Sequence, residues 1–344
     1  MATEDSASAI DWEFAASVGG RLAGPGPTLS PEDAAETVAE LREDAAIATG
    51  HVRAFTHLTA PYDVAPVLVV DRQRWVRANT QSFQMLMQPM VDKALGSRPS
   101  SALVKAAGAK VTGAELGGIL GFLSSKVLGQ FDPFHGDAGR LLLVAPNVVH
   151  IERELEVDSR DFRLWVCLHE ETHRVQFTAN PWLADHLKAE ISNLTGTLDV
   201  SAILDEGLGR IAEAFKPGGP TLVEVLSTPE QREVIDRITG VMSLLEGHAD
   251  VVMDGVGPTV IPSVEHIRKA FTVRRRGVGV MDRLIRRLMG MDAKMAQYRD
   301  GAAFVRTVVD RVGMDEFNSI WAGPHTLPGK ADILDPESWI KRVL

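Results

Sequence analysis

A mainly α fold with at most a few short strands is predicted by three observations. Apolar residues recur at helical spacing along most of the 344-residue chain. Only two short runs, Val67–Asp71 and Leu141–Pro146, have the composition of strands. Between them Ala102 to Leu128 repeats glycine and alanine, and glycine costs about 1 kcal/mol in a helix, so its recurrence there implies close contact between helices.

The elements follow in order. Residues 1–30 read as a flexible arm with a short helix around Trp12, ended by the turn-rich Gly24-Pro25-Gly26-Pro27. Ser30-Pro31-Glu32-Asp33 then opens a helix that should run to about Gly50. Serine is its N-cap, proline stands in the first turn, and the acids face the positive end of the dipole. Residues 57–66 form a loop, Val67–Asp71 a strand or a helix lead-in, and 72–95 a helix with Trp75, Phe83, Leu86 and Met90 on one stripe. Lys105, Lys110, Glu115 and Lys126 interrupt the small-residue stretch, which argues against a membrane hairpin. Leu141–Pro146 is the best strand. The next helix carries the histidines and should stop before Asn180-Pro181, because proline disfavours helix at the residue before it.

Helical patterns then cover about 182–194 and 200–215, and Lys216-Pro217-Gly218-Gly219-Pro220 is the clearest break. Thr228-Pro229-Glu230-Gln231 caps a long helix expected to end near Asp254, before Gly255-Val256-Gly257-Pro258. Helices at 263–275, 279–290, 292–311 and 313–321, a loose tail from Pro324 and a last helix at 336–344 complete the chain. Residues 31–344 are thus expected to form a single helical domain, with a cleft between its 31–160 and 161–344 parts.

The net charge of −10 argues against nucleic acid as a partner, since a phosphate-binding surface needs a basic excess. The run Arg274-Arg275-Arg276 with Arg283, Arg286 and Arg287 reads as a solvated helix face. One cysteine, Cys167, precludes an internal disulfide and fits a reducing compartment. The acidic start lacks a signal peptide's features, and no run reaches the roughly 18 apolar residues a bilayer span needs. A cytoplasmic protein without integral membrane segments is the expectation; the oligomeric state is open.

Chemistry concentrates at His169-Glu170-Glu171-Thr172-His173, behind the apolar lead-in Leu164–Leu168. On a helix the two histidines stand about 40° apart on one face, one turn above the other, so two imidazoles reach one metal ion. Glu170 lies at the edge of that face, placed to take a proton from an activated water. A catalytic zinc site usually has a third protein ligand. A third histidine with the spacing of H-E-x-x-H-x-x-G-x-x-H is excluded by Gln176 and Ala179. The separate segment Leu244-Leu245-Glu246-Gly247-His248-Ala249-Asp250 supplies Glu246 as third ligand, with Asp250 four residues on to accept the outer N–H of a ligand histidine. Glu206 is the competitor for the third position, while Asp199 lacks the tyrosine and glycine that would support it.

These two runs, continued through Arg174-Val175-Gln176-Phe177 to Leu183, together resemble the zincin-like metallopeptidase type 2 family of actinobacteria and related bacteria. Val69–Asn79, Leu123–Phe134 and Asp292–Tyr298 also resemble its motifs, and the resemblance covers most of the chain from about residue 60. It implies a gluzincin-like fold, zinc as cofactor and hydrolase chemistry on a peptide or amide, with substrates poorly defined. In that reading Glu170 is general base, and Tyr298 or His248 steadies the oxyanion. His248, about 160° around the helix from Glu246, reads equally well as a satisfied core histidine. Two other readings compete: a catalytically idle zinc protein whose cleft binds a partner peptide, and a metal-free helical scaffold.

Overall fold

The computed structural model describes residues 10–60, 65–95, 102–196, 228–276 and 291–344. The described chain is mainly α with a three-stranded sheet, and its contacts divide it into two compact units. The first comprises residues up to Ala48 and Tyr62–Arg174; the second comprises Thr49–Pro61 and Val175–Leu344. Helices α2 (Pro31–Thr56) and α6 (Ser159–Ala179) contribute residues to both.

In the first unit the order is α1 (Trp12–Leu22), α2, β1 (Val67–Val70), α3 (Arg72–Leu95), α4 (Ala102–Leu123), β2 (Gly129–Asp132), β3 (Arg140–Val144), α5 (Ala145–Leu155) and α6. The sheet runs β1-β3-β2, with β1 parallel and β2 antiparallel to β3. Every residue of β3 is buried, which is why Leu141-Leu142-Leu143-Val144 is apolar without alternation. Leu142 and Val144 pack with Trp75, Val76, Ala78 and Leu120 in the core.

The small-residue stretch is α4, and its glycines admit another helix as expected. A Cβ on Gly117 would stand 2.5 Å from the Ala15 carbonyl oxygen, and one on Gly113 2.6 Å from that of Asp11. That approach docks α1, so residues 12–22 are a packed helix with Trp12 and Ala15 buried, where the sequence suggests a loose arm.

Strand β2 was not anticipated, being short and polar apart from Phe131. Tertiary bonding secures it: Asp132 Oδ2 accepts from Ser82 Oγ at 2.6 Å and from buried Arg140 Nε at 3.0 Å, while Arg140 Nη2 donates to the Ala78 carbonyl at 2.8 Å.

The second unit continues with α7 (Trp182–Gly196), α8 (Pro229–Val260), α9 (Val264–Arg276), α10 (Met291–Val312), α11 (Met314–Phe317), a 3-10 turn at Asn318–Trp321, α12 (Lys330–Leu334) and α13 (Pro336–Val343). Thr228 and Gln231 cap α8 reciprocally, as Thr-Pro-Glu-Gln predicts. The helix does not stop at Gly255: it continues past Pro258 to Val260, and Gly255 instead makes room for the ring of Phe55.

Helices α8 and α10 cross at glycine on both sides, since a Cβ on Gly247 would fall 2.2 Å from the carbonyl carbon of Gly301. The segment after Pro324 is pinned, not loose. Trp339 Nε1 donates to the Thr326 carbonyl at 2.8 Å, Arg342 Nη1 to that of His325 at 2.8 Å, and Thr326 Oγ1 to that of Ile320 at 2.9 Å. The break at Lys216–Pro220, the helices at 200–215 and 279–290, and residues Asp199, Glu206, Arg283, Arg286 and Arg287 lie outside the described residues.

Candidate metal centre

Helix α6 begins with the Asp158 carboxylate accepting from the Asp161 N–H at 2.9 Å. Phe162, Val166 and Leu168 bury its apolar face, and Cys167 Sγ lies 3.7 Å from the Leu41 carbonyl oxygen. Arg163 grips both carboxylate oxygens of Glu152, at 3.0 and 2.7 Å, and also pairs with Glu40. Burial pushes the Cys167 thiol well above its usual pKa, helped by the carboxylates of Asp44, Glu171 and Glu170.

On the other face the two imidazoles converge. His169 Nε2 and His173 Nε2 stand 3.2 Å apart, with ring planes at 88°. This spacing is close to the edge, about 3.3 Å, of a tetrahedron whose metal–nitrogen arms are roughly 2.0–2.1 Å. His169, His173 and Glu246 each offer a ligand atom and are the residues that could hold a metal ion. All three residues are half-buried. Two imidazole nitrogens and one carboxylate oxygen form the donor set of a catalytic zinc site, so the residues present fit that ion.

Glu170 is 7% exposed and rests against β2. A Cβ on Gly129 would meet its Cγ at 2.5 Å, Cδ at 2.6 Å and Oε1 at 2.8 Å, so the absent side chain at 129 is what admits the carboxylate. Spacing within α6 cannot reveal Gly129; its signal is the glycine in Leu128-Gly129-Gln130-Phe131-Asp132, within the family-like run Leu123–Phe134.

The polar residues between and after the histidines are buried and bonded. Arg174 donates to Glu171 Oε2 at 2.9 Å and to the Ala65 carbonyl at 3.0 Å. Thr172 donates to the Leu168 carbonyl at 2.7 Å. Gln176, which with Ala179 breaks the H-E-x-x-H-x-x-G-x-x-H spacing, reaches α8: its Nε2 donates to the Leu245 carbonyl and to His248 Nδ1, both at 2.9 Å. His248 therefore presents Nδ1 as an acceptor, which places the proton of the neutral ring on Nε2. It is fully buried, stacked on Phe317 at 5.6 Å and edge-on to Trp321 at 5.6 Å. Asp250 turns to α10, where its Oδ2 accepts from Arg306 Nη2 at 3.3 Å, and Asp254 shares that guanidinium. Tyr298 lies on α10 among residues whose side chains fall outside the description, as does Glu206 altogether.

No helix among the described residues is long and apolar enough to cross a membrane. No curated protein matches the chain. Among solved structures, one from Chloroflexus aurantiacus, described as a candidate hydrolase with a novel fold, is 30% identical with a TM-score of 0.73, and the match covers 97% of this chain and 98% of that one. The family model described as zincin-like metallopeptidase matches residues 10–340. With nearly its whole length matched, the chain belongs to the zincin-like metallopeptidase family.

Proposed function

We propose that the protein is a zinc-dependent hydrolase of peptide or amide bonds, with His169, His173 and Glu246 as ligands and Glu170 as general base. The observation that carries the reading is the placement of Glu170. Its carboxylate is buried one residue from a converging imidazole pair, in a recess made by Gly129. A structural metal site has no use for a base held there.

When bound, zinc supplies Lewis acidity, lowering the pKa of an attacking water from near 16 to about 7 and polarising the scissile carbonyl. Glu170 accepts the proton of that water and returns it to the leaving nitrogen, so the carboxylate is regenerated each cycle. His169 and His173 are held at a fixed rotation of α6 by the buried bonds of Glu171, Arg174 and Gln176. We assign His248 to this scaffolding through Gln176, in place of contact with substrate. Tyr298 remains our candidate for steadying the oxyanion. A cytoplasmic setting is our inference from the single, buried cysteine.

The test is Glu170→Gln. The variant should bind zinc as the wild type does and lose about 10²–10⁴-fold in turnover of a fluorogenic peptide library. Retention of most activity refutes the assigned base. Zinc uptake without chelator-sensitive turnover in the wild type refutes the hydrolase.

A further inference from the structure

The open edge of β1 lies on the far side of the sheet from Glu170, in the same unit. The parallel pairing with β3 begins with Leu141 N–H donating to the Pro66 carbonyl, so Pro66, Leu68 and Val70 direct their backbone groups at β3. By alternation the N–H and C=O of Val67 and Val69 point outward. Among the described residues no strand pairs there. Leu68 adds an apolar side chain that is 39% exposed.

A cavity of about 260 Å³ runs along this edge, lined by all four residues of β1 with Arg42, Arg74, Arg77 and Arg140 and by no acidic side chain. Arg140 is compensated by Asp132. Arg42, Arg74 and Arg77 have no acidic partner for their guanidinia among the described residues. Arg74 and Arg77 stand three apart on α3, a like-charge spacing that destabilises a helix by about 0.2–0.5 kcal/mol. In a chain of net charge −10, a recess with only cations is not a sampling of the average surface.

We infer that this edge binds an extended acidic peptide, which adds to β1 as a fourth strand. Outward N–H and C=O of Val67 and Val69 supply its main-chain hydrogen bonds, Leu68 supplies apolar contact, and Arg42, Arg74 and Arg77 select carboxylate side chains. Backbone pairing gives affinity, and the guanidinia give specificity. The site is independent of the metal chemistry and is tested with a chelator present.

The probe is a fluorescein-labelled peptide of alternating valine and glutamate, followed by fluorescence anisotropy, with a lysine-for-glutamate version and inorganic phosphate as comparisons. The glutamate peptide should bind saturably and more weakly as salt rises, and the lysine version should not bind. Arg74→Glu with Arg77→Glu should weaken binding at least tenfold. Val69→Pro removes one outward N–H and leaves the ladder to β3 intact, because proline is tolerated at an edge position whose N–H faces solvent. It too should weaken binding at least tenfold, with a thermal melt confirming the fold. Absence of glutamate-peptide binding overturns the proposal. So does a Val69→Pro variant that binds like the wild type, or phosphate competing as well as the peptide, either of which would mean that the arginines hold a free anion and no strand is added.

Discussion

Replacing Gly129 by alanine tests the proposed chemistry without touching a charged group. The added Cβ would lie 2.5 Å from Glu170 Cγ, 2.6 Å from Cδ and 2.8 Å from Oε1. Carbon contacts are comfortable at about 3.5–4.0 Å, so the carboxylate must withdraw by about 1 Å. Gly129 has no positive φ, so alanine is tolerated by the backbone, and in a strand it is favoured over glycine by about 0.5–1 kcal/mol. The penalty therefore falls on the position of the base. A displacement of about 1 Å in a catalytic constellation reduces rate about 10²-fold, equivalent to about 2.7 kcal/mol in the barrier. The assay is kcat/KM on the fluorogenic peptide that the wild type cleaves best, with zinc affinity and melting temperature measured alongside. Turnover should fall about 100-fold while zinc affinity stays within about twofold, because the three atoms nearest the added Cβ all belong to Glu170. In the Glu170→Gln background the same change should add almost nothing, since both act through one group. A Gly129→Ala enzyme that keeps more than half of wild-type turnover would refute the idea that Glu170 works from this recess.

Further expectations address the scaffold. Gln176→Leu deletes the bonds to Leu245 and His248 and should lower zinc affinity about 10–100-fold, read by competition with a chromogenic chelator; unchanged affinity removes Gln176 from the site's support. Asp250→Asn should leave zinc affinity within about twofold, because its partner is Arg306; a 10-fold loss would restore the histidine partnership that spacing suggests. Gly301→Ala places a Cβ 2.0 Å from the Ser243 carbonyl oxygen and should destabilise the protein by at least about 1–3 kcal/mol in urea titrations. Asp44 is buried, its Oδ2 without a hydrogen-bond partner among the described residues, and its pKa is raised from 3.8 to about 6 by burial and then by Glu40. Between about pH 4 and 6 the folded state keeps a proton that the unfolded chain has lost, so stability falls as pH rises through that window. Asp44→Asn should flatten that fall and stabilise the protein above pH 6 by up to about 3 kcal/mol; an unaltered pH profile of melting temperature would contradict it.

What was legible in the sequence follows the range of each interaction. The histidine pair, its neighbouring carboxylate, the reciprocal cap at Thr228 and Gln231 and the apolar run of β3 are local patterns, written within a few residues of one another. The glycines of α4 announced a close approach, but not that the partner would be α1. Strand β2 was missed because its stability comes from Ser82 and Arg140, partners about 50 and 8 residues away in the chain. The continuation of α8 past Gly255 was missed for the same reason, because the ring of Phe55 takes the space that glycine leaves. Asp250 shows the limit of face arguments: a position four residues from Glu246 shares its face only to within about 40°, and a guanidinium on α10 decides where it turns.

The same distinction explains why α6 buries so much polarity. Glu171, Thr172, Arg174 and Gln176 are all under 9% exposed, although a buried ion pair such as Glu171 with Arg174 is weak evidence for stability. Apolar side chains alone would let the helix rotate or slide at little expense, since hydrophobic contact is not directional. The bond of Arg174 to the Ala65 carbonyl is directional, as is that of Gln176 to the Leu245 carbonyl, and each resists rotation of its part of α6. A slip of one residue would turn the helix about 100°, and both imidazoles with it. The buried polar residues thus convert a two-histidine spacing, which any amphipathic helix could carry, into a defined direction for two nitrogen lone pairs.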